Sequence, residues 1–158
     1  LIAAEYAKDV SVKVISLRDY EAPVFGVDLE NDQGFPESMK ALLELMSAAD
    51  GYLVSVPEHN GSMPAVFKNT VDWLSRMGPK VFQTKPVVFL SATPGGRAGA
   101  SVQQHLEQIM PHRGADIVGM FGLGRFHDQV NENSIVNDES STAINELVQK
   151  LEERILAT

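Results

Sequence analysis

Tyr52-Leu53-Val54-Ser55-Val56-Pro57-Glu58-His59-Asn60-Gly61-Ser62-Met63-Pro64 decides the fold, because it reads as a strand, a polar turn and the opening of a helix. The near-continuous apolar run 52–56 suits a parallel strand covered on both faces. Pro64 stands where proline favours a helical first turn, and Val66, Thr70, Trp73, Leu74 and Met77 recur at helical spacing until Gly78-Pro79 ends the pattern. Working upstream, Pro36-Glu37 opens a helix with Met39, Leu42, Leu43 and Met46 on one face, which Asp50-Gly51 closes. Before it come a long loop, the β-branched run 12–17 that predicts a strand, and residues 1–7, which resemble the second half of a helix. Working downstream, 86–91 predicts a strand, Val102, Leu106, Ile109 and Met110 mark a helix, and 116–121 predicts another strand. A helix over 141–156 finishes the chain, with Ile144, Leu147, Val148, Leu151 and Ile155 as its apolar stripe. Strands alternating with helices imply βαβ units, hence an α/β, doubly wound, mostly parallel sheet with helices on both faces. No repeat or linker interrupts the pattern, so 1–158 is expected to be a single domain.

The 158 residues are 44% hydrophobic and 22% charged, the balance of one soluble globular domain. There is no cysteine, which removes disulfides, thiol nucleophiles and thiolate metal sites and fits a reducing compartment; the cytoplasm is the expected location. A formal net charge of -8 repels phosphate backbones and anionic lipid, so neither nucleic acid nor a membrane is expected as a partner. No apolar run approaches the roughly 20 residues of a membrane span.

In open parallel sheets ligands bind beyond the carboxyl ends of the strands. Two segments fall there. Pro57-Glu58-His59-Asn60-Gly61-Ser62 has a glycine that allows close backbone approach and amides near a helix N-terminus. A flat electron-accepting ligand would be served there, although an ordinary βα turn uses the same residues. Ser91-Ala92-Thr93-Pro94-Gly95-Gly96-Arg97-Ala98-Gly99 mixes glycine, hydroxyl and arginine, suited to a ring or a phosphate, and equally to a flexible turn. It is not the glycine-then-lysine phosphate pattern.

Together the segments resemble a family. Pro57 to Pro64, continuing through Lys68-Asn69-Thr70-Val71-Asp72-Trp73-Leu74-Ser75-Arg76, is similar to the signature of the flavodoxin-like NADPH-dependent FMN reductases, which include chromate, quinone and azo-dye reductases. Ala49-Asp50-Gly51 and Ser91 to Arg97 sit where that family places its equivalents. The resemblance implies an FMN site formed by Pro57, Glu58, His59, Asn60, Gly61 and Ser62 on the pyrimidine side of the ring. Ser91, Thr93, Gly95, Gly96 and Arg97 would border the ring from the next strand. It implies NADPH or NADH as electron donor, a quinone, flavin, azo compound or chromate as acceptor, and a homodimer or homotetramer in which Lys68, Asp72 and Arg76 meet a partner chain. The family usually carries tyrosine where His59 stands. Its strand order, 2-1-3-4-5, puts a first strand and a hydroxyl-rich phosphate loop ahead of the opening helix, so the natural protein is expected to extend upstream of Leu1 by roughly 15–20 residues.

No catalytic acid or nucleophile is expected, because the flavin performs the redox step. The competing reading is a flavodoxin-type electron carrier or a non-catalytic flavin-binding module; carriers enclose the ring with aromatic residues, whereas these two loops hold no tryptophan or tyrosine. His105 and His112 stand a heptad apart and His127 is separate, so no metal site is expected. Trp73 reads as core, and Glu152-Glu153-Arg154 as a solvated helix face. Arg97 is left between a flavin or nicotinamide phosphate and a subunit ion pair.

Overall fold

Three strands, β1 (Tyr52–Ser55), β2 (Pro86–Ala92) and β3 (Asp116–Leu123), form a parallel sheet in the order β1-β2-β3. The structure, a computed structural model, describes residues 2–132 and 134–157; Leu1, which opens the expected first helix, lies outside the described residues. The helices in chain order are α1 (Val27–Gln33), α2 (Glu37–Ala48), α3 (Ala65–Met77), α4 (Ala100–Ile109), α5 (Phe126–Gln129) and α6 (Asp138–Leu156). The strands are parallel because α3 and α4 carry the chain back between them. Tyr52 lies opposite Val87 and Ser55 opposite Leu90, while Pro86 pairs with Asp116 and Ala92 with Leu123.

Side chains alternate across β2, and the alternation divides the core. Val87 and Phe89 join Met39, Leu42, Trp73, Leu74, Leu106 and Met110 in one cluster, supplied by α2, α3 and α4. Val88 is equally buried but outside that cluster, on the opposite face, where α6 packs on β2 and β3 and buries Ile144, Val148 and Leu151. Gly119 lies opposite Val88, and a Cβ there would overlap the Leu147 side chain, so the glycine admits α6. Helices therefore cover both faces, as the sequence pattern requires.

Trp73 is fully buried, meets the Phe25 ring edge to face at 5.0 Å, and donates from Nε1 to the Pro23 carbonyl at 2.7 Å. Asn69 accepts from the Phe25 amide at 2.8 Å and donates to the Pro23 carbonyl at 3.0 Å. Two residues of the signature stretch thus fasten the segment before α1 to α3.

Five expectations need correction. Residues 12–17 are not a strand: no described strand lies beside them, and Val12, Val14 and Ile15 are exposed. Ser16 there instead caps a 3-10 turn, Leu17–Asp19, by accepting from the Arg18 amide. The long loop contains α1, and the opening helix is a 3-10 turn, Ile2–Tyr6. α2 stops at Ala48, with Ala49 extended, so Gly51 is no left-handed cap; a Cβ on it would strike Ile155 and approach the Pro86 carbonyl at 3.2 Å. Glu152 is not solvated. It is 5% exposed, and its Oε1 accepts from the amides of Lys8 at 2.6 Å and Asp9 at 3.0 Å, which ties the opening segment to α6. Among the described residues, no helix is long and apolar enough to cross a membrane.

Candidate flavin site

Beyond β1 the ladder continues for one bond, Val56 N–H to the Leu90 carbonyl at 2.7 Å, and then the chain turns. His59 N–H donates to the Ser62 carbonyl at 2.8 Å and Ser62 N–H returns to the His59 carbonyl at 3.0 Å. Asn60 and Gly61 between them have φ of 51° and 75°. Two consecutive left-handed residues make the reversed tight turn for which Asn-Gly is the favoured dipeptide.

The second loop starts at Ser91, which is buried beneath it. The Ser91 hydroxyl donates to the Ala98 carbonyl and accepts from Gln103 Nε2, both at 3.0 Å. Thr93 N–H holds the Leu123 carbonyl at 2.9 Å, and Arg97 Nη2 donates to Ser101 Oγ at 2.9 Å. Ala98 and Gly99 then turn left-handed to enter α4. Glu58 bridges the loops: its Oε2 accepts from the Ser101 and Val102 amides in the first turn of α4, at 3.0 and 3.1 Å.

A cleft of about 580 Å³ lies between the loops, within the usual range for a small-molecule site. Of the residues expected from sequence, it brings together Pro57, Glu58, His59, Thr93, Gly95, Gly96 and Arg97. Asn60 and Ser62 line an adjoining cavity of about 560 Å³, and His59 walls both. Ser91 supports the second loop from below rather than lining the cleft. Ala92, Pro94 and Gly99 of the same candidate segment also line the cleft, and sequence reasoning missed His105, whose Nδ1 stands 3.1 Å from Ser62 Oγ. No signal within α4 singles out His105, since its role depends on a loop 43 residues away.

The walls suit a planar ring. No atom lies within 4 Å of where a Cβ would stand on Gly61, Gly95 or Gly96, so backbone is open to a ligand there. Among the described residues, the amides of Asn60, Gly61, Gly95, Gly96 and Arg97 donate to no protein acceptor. Such donors match the carbonyl-rich pyrimidine edge of an isoalloxazine.

The two loops thus close a cleft with unpaired amides past the carboxyl ends of a parallel sheet. The chain belongs to the NADPH-dependent FMN reductase family, whose model matches residues 1–128. It is 38% identical over 90 residues to a quinone reductase of Escherichia coli K12, covering 57% of this chain and 48% of that protein. It is 38% identical over 93 residues to an NAD(P)H-dependent FMN reductase of Pseudomonas aeruginosa, covering 56% and 50%. The chain thus spans about half the length of these curated relatives. In fold it is similar to FerB, a flavoenzyme NAD(P)H:(acceptor) oxidoreductase from Paracoccus denitrificans, with a TM-score of 0.81 at 23% identity over 99% of this chain and 86% of that one.

Proposed function

We propose that this protein binds FMN in the cleft between residues 57–62 and 91–99 and passes electrons from NADPH or NADH to a small acceptor. The observation that carries the reading is the set of outward amides on two glycine-bearing loops. Quinones are the favoured acceptors, given the relative named a quinone reductase; free flavin, azo compounds and chromate are the others.

Bound FMN supplies the two-electron chemistry. The chain's own residues bind and orient it. The Gly95, Gly96 and Arg97 amides in the cleft wall, together with the Asn60 and Gly61 amides of the neighbouring turn, would hold the ring's carbonyl edge, and the N-terminus of α3 just beyond that turn favours negative charge there. His59, on the wall between cleft and adjoining cavity, would present its imidazole to whatever approaches the ring. Arg97 is turned toward Ser101 but exposed, free to attract a phosphate. A single-electron carrier is the second reading, and the absence of tryptophan and tyrosine from both loops speaks against it.

The same proposal takes β1-β2-β3 as the last three strands of a 2-1-3-4-5 sheet and the chain as one domain in the cytoplasm. It also takes the assembly to be a homodimer or homotetramer through α3. Within the chain, Lys68 pairs with Asp72 at 2.7 Å and Arg76 with Glu30 at 2.8 Å, surface pairs that a partner chain could re-pair, and Val66 is exposed on the same helix. The test is a visible spectrum of the purified protein with FMN, followed by anaerobic NADPH or NADH. We expect a flavin spectrum that bleaches with the nicotinamide and returns with a quinone; a bound flavin that neither nicotinamide bleaches would remove the reductase reading.

A further inference from the structure

We infer that Glu58 is a positioning residue: its carboxylate sets the spacing between the two walls of the cleft by capping α4, and does not itself contact the ring. The inference rests on the flavin reading of the cleft. Glu58 belongs to the first wall. The amides it accepts from, Ser101 and Val102, belong to the helix on which the second wall is mounted. That wall is braced internally by the Ser91 to Ala98 bond and fastened to α4 twice: Arg97 to Ser101, and Gln103 to Ser91. Moving the first turn of α4 therefore moves Gly95, Gly96 and Arg97 relative to the Asn60-Gly61 turn.

The chemistry of the bridge is strong for its size. A carboxylate on two helix N-terminal amides makes charge-assisted bonds and meets the positive end of the helix dipole. The same contact consumes the only acceptor those two amides have among the described residues, so the first turn of α4 is closed to a ligand phosphate. The cleft at this end is left for an uncharged ring. The Ser62 to His105 bond, farther along α4, is a second and weaker tether between the same elements.

Two substitutions separate reach from charge. Glu58→Gln keeps the length and an acceptor oxygen but removes the charge, while Glu58→Asp keeps the charge and is one methylene too short to hold both amides at bonding distance. Three measurements apply to the wild type and both variants: FMN affinity by quenching of flavin fluorescence, amide hydrogen exchange at Ser101 and Val102 without FMN, and thermal melting. Glu58→Asp should weaken FMN binding about tenfold or more and speed exchange at both amides, whereas Glu58→Gln, which keeps the reach and loses only the charge assistance, should fall between wild type and Glu58→Asp on both. Gln as damaging as Asp, or Asp indistinguishable from wild type, would overturn the inference. If the wild type bound no FMN, the flavin reading would fall. The exchange data would still decide the brace, with fast exchange in Glu58→Asp supporting it and unchanged exchange refuting it.

Discussion

At the scale of single residues, the glycines of the second loop carry two different kinds of requirement. Gly99 has φ of 73°, and a Cβ there would overlap the Ser91 hydroxyl and come to 2.8 Å of its Cβ. Gly95 has no such φ and open space around it. Gly99→Ala should therefore cost about 1–3 kcal/mol of stability in urea unfolding, since a left-handed alanine is strained even before the clash. Gly95→Ala should stay within about 0.5 kcal/mol of wild type yet lose FMN affinity, because its methyl group enters the cleft. Equal stability losses in the two variants would show that the loop is not held against Ser91. This distinction was only half legible in the sequence. The glycine-rich composition announced a loop open to a ligand, and Asn60-Gly61 is a short-range turn signal with its own mechanism. The resemblance put Ser91 and Glu58 beside the ring, but a sequence shows only which polar groups are present, and not which backbone amide or carbonyl each will also face. Their partners, Ala98 and the Ser101 and Val102 amides, become neighbours only when α4 packs on the sheet.

At the scale of elements, β2 was legible because a parallel strand buried on both faces must be apolar, and β1 and β3, half-buried on either side of it, were legible because 52–56 and 116–121 are mostly apolar too. Residues 12–17 carry the same β-branched chemistry, but a strand is made by its neighbour, and local composition holds no information about one. α1 was missed because seven residues with three acidic side chains show little apolar periodicity. β1 also carries a titration. Tyr52 donates its hydroxyl to the Met46 carbonyl at 2.7 Å, and burial, helped by the charge of Asp50, pushes its phenol up to about 12 from an ordinary value of 10.0. A folded pKa above the unfolded one means the native state holds the proton longer. The contribution is thus fully present below pH 10 and is lost as pH climbs toward 12. The urea midpoint of the wild type should fall more steeply than that of Tyr52→Phe between those limits. Parallel curves for the two proteins would assign the alkaline loss to other groups.

At the scale of the whole molecule, the alternation of strand and helix patterns announced an α/β fold, the lack of cysteine removed disulfides, and the family signature implied a flavin at the strand ends. What composition could not supply is the way distant segments are tied down: Glu152 on the Lys8 and Asp9 amides, Asn69 and Trp73 on the segment before α1, Glu58 on α4. Each is a side chain reaching backbone more than forty residues away. These ties make the cleft depend on more than its own loops, since the helix that carries one wall is bonded to the other by Glu58. A ligand that bridges the walls should then stabilise the molecule as a unit. At an FMN concentration a hundredfold above Kd, linkage gives about 2.7 kcal/mol. For a domain of this length that corresponds to a rise in Tm of roughly 5–11 °C. On the proposed reading the free amides hold a ring and the first turn of α4 is closed by Glu58, so riboflavin, which lacks the phosphate, should also raise Tm when saturating, whereas inorganic phosphate at the same concentration should not. A shift with phosphate alone, and none with riboflavin, would mean that the cleft holds the anionic end of the ligand and that the amides of Asn60, Gly61, Gly95 and Gly96 have been given the wrong partner.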